Sequence, residues 1–326
     1  MSKPFHHRHI AAAGFAALAA LATGASFAQQ PYPVKPVRMV VPFAPGGGTD
    51  TVARMVAQRL SDVLKEQVIV DNRPAVDGVV GSDIVAKSAP DGYTLILVSA
   101  SHAINTALRA KLPYDTLRDF APITQTAVQQ LLLVVHTSVP AKSVKELIEH
   151  VRARPGQLNY GSSSNAVALP MELFKSMTGT TIQHIPYKGS APMLNDLLGG
   201  QVQMAVAGAV ASIPHVKSGR LRALGIGDSK RSAFLPDVPT IAEAGVPGYQ
   251  ATIWTGLLGP AKLPPALVQR LNREVVRIVQ AQEFKDRLLS MGSDAAGTAP
   301  EEFGKFIEAE MNKWGKIARA AGLKPE

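Results

Sequence analysis

One repeating pattern limits what this chain can fold into: a short apolar run, a turn rich in Gly, Ser or Asp, and then apolar residues at helical spacing. In the first instance "VRMVV" (37–41) reads as a buried strand, "PFAPGGGTD" as the turn, and Val52, Met55, Val56, Leu60, Val63 and Leu64 as one helical face. "VIV" (68–70), a helix over 79–86 and, after the "PDG" turn, "YTLILV" (93–98) complete β-α-β-α-β. A second set starts with "LLLVV" (131–135) and a helix over 143–152. It continues with a strand ending near Tyr160-Gly161, a helix over 168–177, "IQHIPY" (182–187) and a helix ending at Gly199-Gly200. "VQMAVA" (202–207) and "LRALGI" (221–226) close it. Strands alternating with short helices imply an α/β fold with parallel sheets covered on both faces. After "WTGLLGP" (254–260) come three helical stretches, 264–280, 284–291 and 300–321, bounded by Pro264-Pro265, Gly292 and Gly322. This block has no sheet of its own, and we expect it to pack back on the first set, so that the chain crosses between two lobes twice. A length of 326 residues, 46% of them hydrophobic, supports two such lobes.

The first residues follow another logic. Lys3 and Arg8 precede an apolar stretch over 10–21, and Ser26-Phe27-Ala28 supplies the small residues that a signal peptidase needs. A signal peptide over 1–28, cleaved after Ala28, is expected, and with it an exported, soluble protein without stable membrane insertion. No later segment approaches the roughly 20 uninterrupted apolar residues of a membrane span. Cysteine is absent, which excludes disulfides, thiolate metal sites and a cysteine nucleophile. Removing Lys3 and Arg8 lowers the formal charge from +9 to +7, a field that favours anionic ligands. The basic residues are dispersed and aromatics make up 6%, so no nucleic-acid face is expected.

A strand running through Gly46-Gly47-Gly48 into a helix makes an anion site by geometry, because glycines admit the ligand to the backbone and the free N–H groups of the helix face it. Thr49 or Asp50 is the expected N-cap. A dinucleotide fingerprint competes, since Gly46-x-Gly48-x-x-Thr51 departs from G-x-G-x-x-G only at the last glycine and Asp71 ends the next strand. Asp50 would set a carboxylate where the pyrophosphate lies, which argues against it. No Gly-Lys-Ser/Thr follows, so a P-loop matches less well than the dinucleotide fingerprint. A purely structural turn stays open.

Catalytic constellations are thin. His102, His136, His150, His184 and His215 show no two-histidine metal spacing, and no metal or cofactor is expected. "YGSSSN" (160–165) lacks the second glycine of a nucleophile elbow. Ser99, Ser101 and His102 follow the third strand, where loops of parallel sheets face a crevice. An exported hydrolase using Ser101 and His102 is therefore an alternative, although hydroxyls and backbone amides there suit carboxylate binding better.

"FAPGGGTDTVAR" (43–54), "VDNRPAVDGVVGSDIVAKSAPDGYTL" (70–95), "LPYDTLRDFAPIT" (112–124), "PYKGSAPMLNDLLGGQV" (186–202) and "LPDVPTIAEAGVPGY" (235–249) resemble the substrate-binding proteins of tripartite tricarboxylate transporters, the Bug receptors. The resemblance spans essentially the whole mature chain. It implies a type II periplasmic-binding-protein fold, two α/β lobes closing by a hinge on a small carboxylate, and no enzymatic activity. The implied lobes are 29–125 plus 250–326 and 126–249, with the hinge near 121–130 and 248–254. A monomer in the periplasm would deliver its ligand to a membrane permease of a tripartite carrier; an orphan sensory receptor is the alternative partner assignment. By matching position, the implied ligand contacts are Phe43, Ala44, Gly47, Gly48, Thr49 and Asp50, with Ser99, Ser101 and His102 from the next crevice loop. The Asp50 side chain is expected to cap the helix or hold a water. The second lobe would add Ser162, Ser163, Ser164, Asn165, Tyr187 and the Gly208 position. Here the chain departs from the family pattern, with Ala168 in place of a histidine and Gly208 in place of an aspartate, which disfavours a ligand ammonium.

Overall fold

The computed structural model describes residues 32–187 and 189–320, together with Met1 and residues 322, 323 and 325. The expected signal segment, apart from Met1, lies outside them. The chain divides into two compact units, Met1–Val34 and Lys35–Glu326, and every helix and strand described lies in the second.

That unit opens with β1 (Val37–Val41), α1 (Gly48–Leu64), β2 (Val68–Asn72), α2 (Val79–Ala86), β3 (Thr94–Ser99) and α3 (Ser101–Leu108). It continues through β4 (Phe120–His136), α4 (Val144–Ala153), β5 (Asn159–Ser162), α5 (Asn165–Thr178), β6 (Gln183–Pro186), α6 (Ser190–Leu198), β7 (Met204–Gly208), α7 (Ala209–Lys217) and β8 (Leu221–Ile226). It ends with β9 (Thr252–Pro260), α8 (Pro265–Gln280), α9 (Gln282–Ser290), β10 (Ser293–Ala295) and α10 (Pro300–Ala320).

The strands lie in the order β2-β1-β3-β9-β4-β7-β5-β6, with β8 and β10 also paired to β4. β1 runs parallel to β2 and β3, and β5 parallel to β6 and β7. These two parallel groups meet through antiparallel neighbours. β9 pairs antiparallel with β3 and with the first part of β4, and the second part of β4 pairs antiparallel with β7 and β8. The sheet is thus mixed where periodicity alone implied parallel strands.

β4 is the main departure from expectation. A connection was expected over 121–130, followed by a strand over 131–135, but one continuous 17-residue strand runs from Phe120 to His136. Its polar first half hid it from a hydrophobicity reading. Thr124, Gln125 and Thr126 are nevertheless buried. Thr124 Oγ1 donates to the Thr298 carbonyl at 2.8 Å, and Thr126 Oγ1 shares a 2.8 Å bond with Thr255 Oγ1. Two register shifts against β9 bend this stretch, as bulges do. In the second half Leu131, Leu133 and Val135 enter one core cluster, while Leu132 and Val134 enter the other. Both faces of the strand are therefore covered.

The carboxy-terminal block also differs, because β10 adds a strand antiparallel to β4. α3 and α7 are helices that the sequence reading did not anticipate. Of the apolar face assigned to α1, Val52, Val56, Leu60 and Leu64 are buried, whereas Val63 is exposed.

Candidate functional site

β1 ends in a loop that an internal carboxylate ties to the first turn of α1. The N-cap of α1 is Gly47, not Thr49 or Asp50, which both lie inside the first turn. Asp50 is buried and turns back on the loop: its Oδ2 accepts from the Gly46 N–H and from Arg54 Nε, both at 2.9 Å. Its Oδ1 accepts from Asn72 Nδ2 at 2.9 Å, and the same Nδ2 also donates to the Phe43 carbonyl at 3.1 Å. Burial alone would raise the pKa of Asp50. The hydrogen bonds from Arg54, Gly46 and Asn72 and the charge of Arg54 outweigh it and hold the group below its ordinary value. Asp50 is thereby a brace of the loop. The N–H groups at the start of α1 lack intrahelical acceptors, as at any helix start.

Gln129 of β4 faces this helix start. A side-chain carbon at Gly48 would lie 3.5 Å from the Gln129 amide oxygen, and one at Gly208 would lie 3.0 Å from it. The two glycines therefore leave room for one carboxamide between the loops after β1 and β7. A cavity of about 20 Å³ beside it, lined by Gly48, Thr49, Gln129 and Ser293, is the size of one water.

After β3 the expected crevice residues are buried. Ser99 Oγ accepts from the Ser101 N–H at 3.4 Å. The His102 ring stacks on Tyr114 with centroids 5.8 Å apart and meets Phe120 edge-on at 4.8 Å. Burial pushes its pKa down to about 4, with the Thr116 backbone opposing. Ser101 Oγ has no hydrogen-bond partner among the described residues, and neither His102 nitrogen bonds to it. No Ser101–His102 relay is assembled, and the imidazole belongs to the core.

The second group gathers after β5. Ser162 Oγ bonds His184 Nε2 at 2.6 Å, and the His184 ring stacks on Tyr160 at 4.6 Å. Ser163 Oγ accepts from Ser190 Oγ at 3.3 Å, and Ser164 is the N-cap of α5 without a side-chain cap bond. The Tyr187 N–H donates to the Ser162 carbonyl, and its hydroxyl donates to Asp196 Oδ2 at 2.7 Å. Burial, then Asp196, pushes that hydroxyl's pKa up to about 12. Asn165 opens α5 and meets a residue that sequence reasoning did not single out. Its N–H donates to Asp77 Oδ1 at 3.0 Å and its Nδ2 to Asp77 Oδ2 at 2.8 Å. Arg109 Nη2 adds a 3.3 Å contact to the same oxygen. The Asp77-Gly78 pair is a turn signal in the sequence, but nothing there indicated its partner. Gln129 left no sequence signal either.

Among the described residues no cluster of three His, Asp or Glu is placed to hold a metal ion, and no helix is long and apolar enough to cross a membrane.

The family model for the tripartite tricarboxylate transporter family receptor matches residues 52–323. Protein BugT of Bordetella pertussis is 38% identical over 297 residues, covering 90% of this chain and 91% of BugT. Among solved structures, R. palustris Rpa4515 with adipate superposes with a TM-score of 0.87 at 38% identity, covering 90% of this chain and all of that one (100%). MatC (Rpa3494) from Rhodopseudomonas palustris with bound malate gives 0.81 at 31% identity, covering 88% and 99%. The chain belongs to the tripartite tricarboxylate transporter receptor family, whose members are solute-binding receptors and not enzymes.

Proposed function

We propose that the chain captures a small carboxylate-bearing solute in the periplasm and delivers it to a membrane permease of a tripartite carrier. One observation carries this reading: Asp50 ties Gly46 to the first turn of α1, whose N-cap Gly47 gives no side-chain cap bond, so a helix start without a capping side chain follows Gly46-Gly47. The adipate and malate bound by related proteins are ligands of matching chemistry. Phe43, Ala44, Gly47, Gly48 and Thr49 would hold a ligand carboxylate, and Ser163, Ser164 and Tyr187 would approach from the opposite lobe. The lobes are 29–125 with 250–326, and 126–249, and the mature chain starts after Ala28 and acts as a monomer. Solute contacts from both lobes favour the closed arrangement, with β4 and β9 as the crossing strands.

A helix start contributes about 0.3–1 kcal/mol when exposed and up to ~2 kcal/mol when partly buried. Micromolar affinity requires about 8 kcal/mol, so the loop fixes orientation while further contacts supply most of the affinity. Calorimetry of the ligand-stripped mature protein with mono-, di- and tricarboxylates and aromatic acids should return binding heat for at least one class; heat for none refutes the reading. Replacing Gly48 with phenylalanine should abolish binding and leave the melting temperature within a few degrees. Retained affinity would reduce the glycines to a structural turn. Co-purification of the ligand-loaded protein from membrane extracts tests the partner: a permease supports the assignment, and a sensor kinase replaces it.

A further inference from the structure

The turn before α2 carries a carboxylate to the start of α5. Asp77 sits in a short 3-10 turn, Val76–Gly78, with φ 53° and ψ 21°, the left-handed region that glycine adopts most readily and that aspartate tolerates better than most side chains. The turn is nested against the start of the glycine loop. A side-chain carbon at Gly78 would lie 3.1 Å from Pro42 Cβ and 3.3 Å from Phe43 Cζ. Asn105 Nδ2 ties the turn from below by donating to the Asp77 carbonyl at 3.0 Å. From this position the Asp77 side chain, only 8% exposed, takes both the N–H and the amide of Asn165, 88 residues away.

These contacts are what a bound anion would make. A backbone N–H at a helix start, a carboxamide donor and a guanidinium converge on two carboxylate oxygens. Ser164 gives α5 no side-chain cap, and the acceptor for the first N–H of the helix comes instead from Asp77, 88 residues away. The starts of α1 and α5 are thus both suited to anions, and the protein fills the second with its own carboxylate.

We propose that Asp77 stands in for a second ligand carboxylate and makes this receptor selective for solutes with a single carboxylate; this rests on the carboxylate-receptor reading above. A dicarboxylate would bring a like charge to a position already occupied by one, and its distal group would lose the donors that Asp77 holds. Without Asp77, Arg109 faces the Asn165 donors unneutralised. Its Nε is already buried without a partner among the described residues. That arrangement is an open site for a distal carboxylate.

The test uses the mature protein and matched pairs of probes differing by one carboxylate: propionate and malonate, hexanoate and adipate, benzoate and terephthalate. Calorimetry on the wild type should show the monocarboxylate of the best-binding pair about tenfold tighter or more. In Asp77→Gly, which relieves the left-handed backbone, the ratio should move by about tenfold or more toward the dicarboxylate. Asp77→Asn keeps the side-chain shape, should move the ratio in the same direction, and keeps the test readable if the glycine variant folds poorly. A wild type that prefers the dicarboxylate, or variants that bind with the ratio unmoved, overturns the proposal alone. Absence of binding by any carboxylate overturns the receptor reading and this proposal with it.

Discussion

Burial between Tyr114 and Phe120 lowers the His102 pKa from about 6.5 to about 4, so the folded chain keeps the ring neutral where the unfolded chain takes up a proton. The folded value is depressed. The stabilisation is therefore complete above about pH 6.5 and is lost as pH falls toward 4, by about 3 kcal/mol over that window. His184, also lowered by burial, acts in the same direction. Urea denaturation at pH 7, 5.5 and 4.5 should show His102→Leu losing less stability on acidification than the wild type, with the difference approaching about 3 kcal/mol. Parallel profiles would show that the ring is not the source. From the sequence, His102 and its neighbour Ser101 resembled crevice residues because they follow a strand; the aromatic pair that encloses the imidazole lies 12 and 18 positions on, at Tyr114 and Phe120. Asp50 was expected as a cap of α1 or the holder of a water; its ties to Gly46, Arg54 and Asn72 depend on the fold, since Asn72 lies 22 positions on.

At the scale of elements, the glycine loop depends on its neighbours. Gly81 of α2 lies under Pro42, where an added side-chain carbon would come within 2.7 Å of Pro42 Cβ and 2.9 Å of Pro42 Cα. Backbone leaves little room to yield, so Gly81→Ala should displace α2 from the loop and cost about 1–3 kcal/mol. Denaturation should register that loss and calorimetry a weaker carboxylate affinity; unchanged values for both would mean that the loop tolerates the shift. The strands flanked by glycine or proline were readable as apolar runs. α7 was not, since "AVASIPHVK" carries Pro214 inside the helix and little amphipathic contrast. β4 escaped because its buried threonines pair with groups on β9 and with Thr298, partners at sequence distances of more than a hundred residues.

Over the whole molecule, Glu310 joins elements from distant parts of the chain. Its Oε2 accepts from Trp254 Nε1 of β9 at 3.1 Å and from Trp314 Nε1 at 2.9 Å, all three residues being buried. Glu310→Ala leaves two indole N–H groups unpaired in the core and should cost about 2–4 kcal/mol in denaturation, with Glu310→Gln costing less because an acceptor remains. Equal losses in the two variants would assign the effect to packing. α10, which carries Glu310, packs on α3 and on α5, so its position bears on both parallel groups of strands.

The primary structure was enough for the α/β class and for the receptor family, because these rest on local patterns: apolar periodicity and motifs in order. Folding settled which donors remain free. Asn165 read as a ligand donor until Asp77, far away in the chain, was seen to hold it. Gly208 read as a missing carboxylate until the Gln129 carboxamide was seen to pack there. Contacts between residues so far apart leave no periodic trace in one sequence, since they depend on how β4 and β9 carry the chain between the two groups of strands.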